Sequence, residues 1–166
     1  MSDYFQIRET THDDLGVLTR LDDEVFASLG TPFFIFRQFL DLSGPMFIVA
    51  VDHADVVVGY CVGMPTFIPG SAYVASLGTK QEHRGRGVAR ALMTELLSRF
   101  REAGQFECHL TVDPENQPAV ALYLSLGFFI ESLKQDYLGP GVHRLVMRRS
   151  DPSPVSAARK TRRHRG

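Results

Sequence analysis

Arg84-Gly85-Arg86-Gly87-Val88-Ala89 lies between an apolar run, Tyr73 to Leu77, and a segment with helical patterning, Val88 to Phe100. The spacing predicts closely set glycines where a strand hands over to a helix. The first N–H groups of a helix have no partner within it, and the helix dipole adds partial positive charge at that end, so such a turn suits a phosphate. Glycine lets the backbone come close to an anion. Two other phosphate turns fail at named residues. No Gly-Lys followed by Ser or Thr ends the loop, as a P-loop requires, and Arg90 stands where a dinucleotide-binding turn has its third glycine.

Downstream of the turn, Val88, Leu92, Leu96 and Phe100 keep one helical face apolar, and Gly104 stops the helix. Phe106 to Val112 then alternates strictly. Phe106, Cys108, Leu110 and Val112 take one face and Glu107, His109 and Thr111 the other, which predicts a strand. Pro118 falls in the first turn of a short helix carrying Ala119, Leu122, Tyr123 and Leu126, ended by Gly127. Two closing strands are expected, Phe128 to Tyr137 and Val142 to Arg149, around Leu138-Gly139-Pro140-Gly141.

Upstream, residues 5–9 read as a first strand. Thr11 with Asp14 offers a capping signature for a helix to about Ala27, with Leu15, Leu18, Leu21, Val25 and Phe26 at helical spacing. Pro32 starts a second helix, whose Phe33, Phe36, Phe39 and Leu40 are expected in the core and which ends at Ser43-Gly44-Pro45. Met46 to Val51 and Val56 to Met64, joined by Asp52-His53-Ala54-Asp55, read as a hairpin, and Ala72 to Thr79 as the next strand. The order β-α-α-β-β-β-α-β-α-β-β predicts one α/β (α+β) domain over residues 1–150: a mixed, mostly antiparallel sheet of about seven strands flanked by four helices.

The 166 residues are 44% hydrophobic and 22% charged, a composition that argues against disorder over most of the length. Cys61 and Cys108 sit in apolar runs without C-x-x-C spacing and read as buried thiols, so neither a metal nor a disulfide framework is expected. No apolar run approaches the ~20 residues needed to cross a bilayer, and Met1-Ser2-Asp3-Tyr4 does not begin a signal peptide. A cytoplasmic protein with no membrane partner is the expectation. Residues 151–166 hold Arg159, Lys160, Arg162, Arg163 and Arg165 against Asp151, which leaves the first 150 residues acidic. This basic tail is expected to be disordered, and the acidic body disfavours nucleic acid as a partner.

Arg84-x-x-Gly87-x-Ala89, followed by Asn116-x-x-Ala119-x-x-Leu122-Tyr123-x-x-x-Gly127-Phe128, resembles the two linked signatures of the Gcn5-related N-acetyltransferase (GNAT) superfamily. The resemblance covers residues 72–148 well, and the first 70 residues match mainly in element order. It implies an acetyl-CoA-dependent N-acetyltransferase, with acetyl-CoA as cosubstrate, no metal, and an amine acceptor. Under it, the amides of Gly85, Arg86, Gly87, Val88 and Ala89 grip the diphosphate, and Arg84, Arg86 and Arg90 add positive charge. The strand end Leu77, Gly78 and Thr79 pairs with the pantetheine arm and splays from the 106–112 strand, Gly78 suiting a bulge there. Asn116 caps its helix or bonds the arm. Tyr123 is the expected general acid on the departing thiolate, since a tyrosine hydroxyl stays protonated at neutral pH. A backbone N–H near Leu77 is the candidate for polarising the thioester carbonyl.

The general base departs from the family pattern. Tyr73-Val74-Ala75-Ser76-Leu77 holds no acid, and Thr111 stands where the branch that acetylates ribosomal protein N-termini has a glutamate. Glu107 and His109 share the polar face of one strand and are the catalytic candidates for passing the proton through water. Asp22, Asp23 or Glu24 on the first helix is an alternative attractor for a cationic acceptor. The acceptor pocket is expected from Phe26, Phe33 and Phe34, from the 65–70 loop and from the 138–141 turn. Thr111 favours a small-molecule amine, with a protein lysine or N-terminus left open. A non-catalytic acyl-CoA-binding or sensor module is the alternative on the same scaffold. Dimers are common in the family, so the resemblance admits a homodimer.

Overall fold

Residues 4–152 are described by a computed structural model. Of the basic tail expected over residues 151–166, the part from Ser153 onward lies outside the described residues, and the Asp151 N–H donates to the Phe106 carbonyl at 2.7 Å. Strand β1 (Gln6–Glu9) runs antiparallel to β2 (Phe47–Val51), and β2 antiparallel to β3 (Val57–Pro65). All of β2 and most of β3 are buried, largely through Val, Ile, Phe, Ala, Tyr and Cys, as in strands covered on both faces. The Asp52 carboxylate closes their connection by accepting from the N–H groups of Ala54 (2.9 Å) and Val56 (3.0 Å).

The seven-stranded sheet has the order β1-β2-β3-β4-β5-β7-β6. Here β4 is Ser71–Thr79, β5 Glu107–Val112, β6 Phe129–Lys134 and β7 Arg144–Ser150. β4 and β5 pair in parallel over Ser71–Tyr73 and Glu107–His109, while β5 with β7 and β6 with β7 are antiparallel. Four helices complete the fold: α1 (Leu15–Phe26), α2 (Phe33–Ser43), α3 (Val88–Glu102) and α4 (Gln117–Ser125). This is the mixed, mostly antiparallel architecture expected from the sequence. Among the described residues no helix is long and apolar enough to cross a membrane.

The chain forms two compact units. One comprises the described part of Met1–Met64 together with Val74–Arg99, the other Pro65–Tyr73 with the described residues from Phe100 onward. In the first, Leu15, Leu18 and Leu21 of α1 and Phe36 of α2 cover Phe47, Val49 and Val51 of β2 and Val57, Tyr60 and Val62 of β3. α1 is entered through a turn in which Asp14 accepts from the backbone N–H and the hydroxyl of Thr11 (2.8 and 3.0 Å), as the capping signature anticipates. In the second unit, the buried face of β5 is Cys108, Leu110 and Val112. Cys61 and Cys108 are both buried, and neither forms a disulfide among the described residues.

Two expectations are corrected. Phe33 is 45% exposed rather than in the core, because it opens α2 with no preceding turn over it; Phe36 is fully buried and Phe39 and Leu40 pack at the core's margin. The closing strands are shorter than expected. β6 stops at Lys134 and β7 starts at Arg144, because Asp136 takes a left-handed φ of 51° and its carboxylate accepts from Gly141 N–H at 2.7 Å. That turn draws Tyr137 and Val142 out of the strands.

Candidate active site

β4 ends at Thr79, a single 3-10 turn (Gln81–His83) follows, and α3 begins at Val88. The glycine-rich stretch is therefore the last link before the helix. Gly85 and Gly87 have φ of +73° and +83°, a conformation that residues with a Cβ rarely hold, and a Cβ on either would meet nothing within 4 Å. The glycines are required by the backbone, and the space before them is open. Ala91 donates to the Gly87 carbonyl at 3.0 Å, so the amides of Val88 and Ala89 precede the first intrahelical bond.

The depth of α3 is set from β3, a feature that motif reading missed. A Cβ at Gly59 would fall 2.8 Å from Val88 Cγ1 and 3.2 Å from Leu92 Cδ1, so only glycine lets the start of α3 sit there. A glycine inside an otherwise buried strand is the signal for such a close approach. Arg84, Arg86 and Arg90 are exposed. The Arg86 guanidinium lies 4.7 Å from the centre of the Tyr4 ring, and Tyr4 Oη is 2.6 Å from His83 Nδ1. At the end of β4, Gly78 is buried and Thr79 Oγ1 is buried with no hydrogen-bond partner among the described residues.

In the second unit, Asn116 caps α4: its Oδ1 accepts from Ala119 N–H at 3.2 Å, with Pro118 in the first turn. Tyr123 is 7% exposed, its ring edge-on to Phe128 at 5.9 Å. Leu126 and Phe128 both donate to the Tyr123 carbonyl, at 3.0 and 3.1 Å, and Gly127 turns at φ +87°. The helix end thus fixes the backbone that carries Tyr123.

Glu107 and His109, two residues apart on β5, are brought together: His109 Nε2 donates to Glu107 Oε1 at 2.8 Å. A carboxylate cannot donate, so that bond places an imidazole proton on Nε2, and in the neutral ring Nδ1 then carries the lone pair. Glu107 Oε2 lies 3.4 Å from Arg148 of β7, whose guanidinium is 3.5 Å from Glu131 and stacks over Phe129 at 5.1 Å. Glu107 is thereby held from two sides. Tyr73, the register partner of His109, reaches Thr111 Oγ1 at 3.4 Å, and burial pushes its hydroxyl above the usual phenol range.

Of the acids on α1, Asp22 is fully buried, whereas Asp23 and Glu24 are exposed. Burial removes Asp22 from any direct attraction of a cation. Among the residues expected to line an acceptor pocket, Phe33 and Phe34 are exposed in the first unit, and Phe67, Ile68 and Leu138 in the second.

A diphosphate fits the glycine turn: open space before two glycines, amides of Val88 and Ala89 without helical partners, and flanking arginines. The unpartnered Thr79 hydroxyl adds a polar group at the adjoining strand end.

The sequence model of the acetyltransferase (GNAT) family matches residues 9–128. The chain is 30% identical over 153 residues to N-alpha-acetyltransferase RimI of Mycobacterium tuberculosis, covering 84% of this chain and 94% of that protein. Other curated relatives are longer: the chain spans only 21%, 40% and 43% of the length of three that it matches. Among solved structures, Ard1 from Thermoplasma volcanium superposes with a TM-score of 0.83 at 23% identity, over 90% of this chain and 99% of that one. A phosphinothricin acetyltransferase from Sinorhizobium meliloti, solved in complex with AcCoA, gives 0.77 at 20% identity over 92% and 91%. At these identities the two structures are similar to this chain in fold.

Proposed function

The chain belongs to the acetyltransferase (GNAT) family, and we propose that it transfers an acetyl group from acetyl-CoA to a primary amine by direct attack. One C–N bond forms and the thioester C–S bond breaks; the amine loses one proton and the departing sulfur gains one. The observation that carries this reading is the turn at Gly85 and Gly87, open at positive φ before the first amides of α3. The amides of Gly85 to Ala89 hold the diphosphate, with Arg84, Arg86 and Arg90 neutralising it. Leu77, Gly78 and Thr79 offer main-chain groups and one hydroxyl to the pantetheine arm, and Asn116 adds its side-chain amide. When bound, acetyl-CoA supplies an activated acyl group.

Tyr123 acts as general acid, donating its hydroxyl proton to the sulfur. The Leu77 N–H donates to the developing oxyanion. His109 accepts the amine proton at Nδ1, and Glu107, bound to Nε2, stabilises the imidazolium that results. Of the two candidates on β5, Glu107 orients and His109 takes the proton, because both Glu107 oxygens already face partners.

Thr111 favours a small-molecule amine as acceptor. A second reading, the α-amine of a protein N-terminus, is favoured by the RimI relative, which matches most of the chain. Release of free thiol from acetyl-CoA across a panel of small amines, lysine peptides and N-terminal peptides separates them. Amine-dependent release is expected. Tight acetyl-CoA binding with no release above the no-acceptor background would instead support a non-catalytic acyl-CoA sensor.

A further inference from the structure

Asp22 has no exposed surface, and both of its oxygens are engaged within the first unit. The Thr31 N–H donates to Oδ2 and the Tyr60 hydroxyl to Oδ1. Tyr60 is itself fully buried, its ring edge-on to Phe36 at 5.5 Å. The ring also lies against Gly78, where a Cβ would come within 2.6 Å of Cε1. Tyr60 Oη is 2.7 Å from Ser76 Oγ on β4, and Ser76 is partly exposed.

A phenol carries one proton. With that proton committed to Asp22, the Ser76 hydroxyl must donate to Tyr60 Oη, and Ser76 Oγ is left to act toward solvent as an acceptor. Burial, and then the charge of Asp22, push Tyr60 well above the usual phenol range, so its hydroxyl remains a donor. The chain of hydrogen bonds from the core thus gives an outer serine a fixed polarity.

We propose that Ser76 binds the acceptor amine by accepting one of its N–H bonds, and that Asp22 and Tyr60 are positioning residues that orient the Ser76 hydroxyl for this. The proposal rests on the transferase reading above. Ser76 directly precedes Leu77, the residue whose N–H is assigned to the acyl oxygen, and one residue of strand spans only ~3.3 Å. Attack requires the nitrogen within ~3.5 Å of the carbonyl carbon. A neutral primary amine brings two N–H bonds to that point. One proton is lost in transfer and the other N–H is available to Ser76. A secondary N-methyl amine has a single N–H and must forgo one of the two, so the arrangement selects primary amines.

The test compares a primary amine from the panel with its N-methyl derivative, in the unmodified protein and in Ser76→Ala, Ser76→Thr, Tyr60→Phe and the Tyr60→Phe/Ser76→Ala double variant. Ser76→Ala and Tyr60→Phe should each lower kcat/KM for the primary amine about tenfold and bring the primary-to-secondary ratio toward one. Ser76→Thr should retain the ratio, acetyl-CoA affinity should be unchanged, and the double variant should lose no more than either single one. A Ser76→Ala protein that keeps the original ratio overturns the proposal, as does an additive double variant. Should Tyr60→Phe fold poorly, the partly exposed Ser76 still carries the comparison. The Tyr60 hydroxyl proton gives a readout independent of turnover: a slowly exchanging downfield NMR signal, assigned by its loss in Tyr60→Phe and shifted in Asp22→Asn. Absence of that signal overturns the hydrogen-bond chain. No thiol release with any amine overturns the transferase reading, and the amine role of Ser76 with it, while the NMR result still decides the chain.

Discussion

Tyr123 combines near-complete burial with a backbone fixed by the end of α4. Replacing it by Phe keeps the ring against Phe128 and removes the hydroxyl proposed as the acid. Tyr123→Phe is therefore expected to lower kcat about a hundredfold while acetyl-CoA affinity, read by calorimetry, stays within about twofold. An unchanged kcat would remove Tyr123 from the acid role. Cys108 offers a contrast, since burial pushes its thiol up to about 12. It should resist alkylation at pH 8 in the folded protein and react once urea unfolds the chain, the thiolate being the nucleophile. Tyr123 and Asn116 were legible from the spacing of one motif. Asp22 was not: helical spacing places it one residue past the apolar Leu21, and its burial depends on Tyr60, far along the chain, which no local pattern reports.

Periodicity and turn residues located the four α-helices and the seven strands among the described residues; most of these bury one face or both, while β6, which buries none, was read from the turn residues that bound it. What they missed were contacts between elements. Gly59 is one: its missing Cβ seats Val88 and Leu92, and with them the amides at the start of α3. Gly59→Val should push α3 outward and weaken acetyl-CoA binding about tenfold or more while the protein still folds, measured by calorimetry beside a thermal melt. The start of α1 supplies a pH-dependent element. Asp14 is bonded by both Arg8 Nη atoms (2.8 and 2.9 Å) and by Thr11. Burial opposes its ionisation, but these hydrogen bonds outweigh it and hold the carboxyl below its usual range. A depressed carboxyl contributes stability above its unfolded value near ~3.9, and that contribution is lost as pH falls through the folded value. Asp14→Ala should thus cost about 1 kcal/mol at pH 7 in urea denaturation. The gap to the unmodified protein should narrow at pH 3; an equal gap at both values would contradict the role of the charge.

For the molecule as a whole, the order of elements was readable because turn residues separate well-patterned runs. The division into two compact units was not. Its three boundaries fall in β3, after Met64, in β4, after Tyr73, and in α3, after Arg99, and at the last two no change of composition marks them. The donor side of the proposed reaction is encoded in backbone conformation and so leaves glycines in the sequence. The acceptor side was expected from residues such as Phe34, the 65–70 loop and the 138–141 turn, whose residue types fit many amines. In the proposed reaction the turn at Gly85 and Gly87 holds acetyl-CoA for transfer to an amine. Thiol release from acetyl-CoA with the amine panel, run on the unmodified protein and on Gly87→Val, tests it most directly. Amine-dependent release with an acetylated product is expected in the first, and loss of both acetyl-CoA binding and release in the second, which stays folded by circular dichroism. Normal acetyl-CoA affinity in Gly87→Val would contradict it.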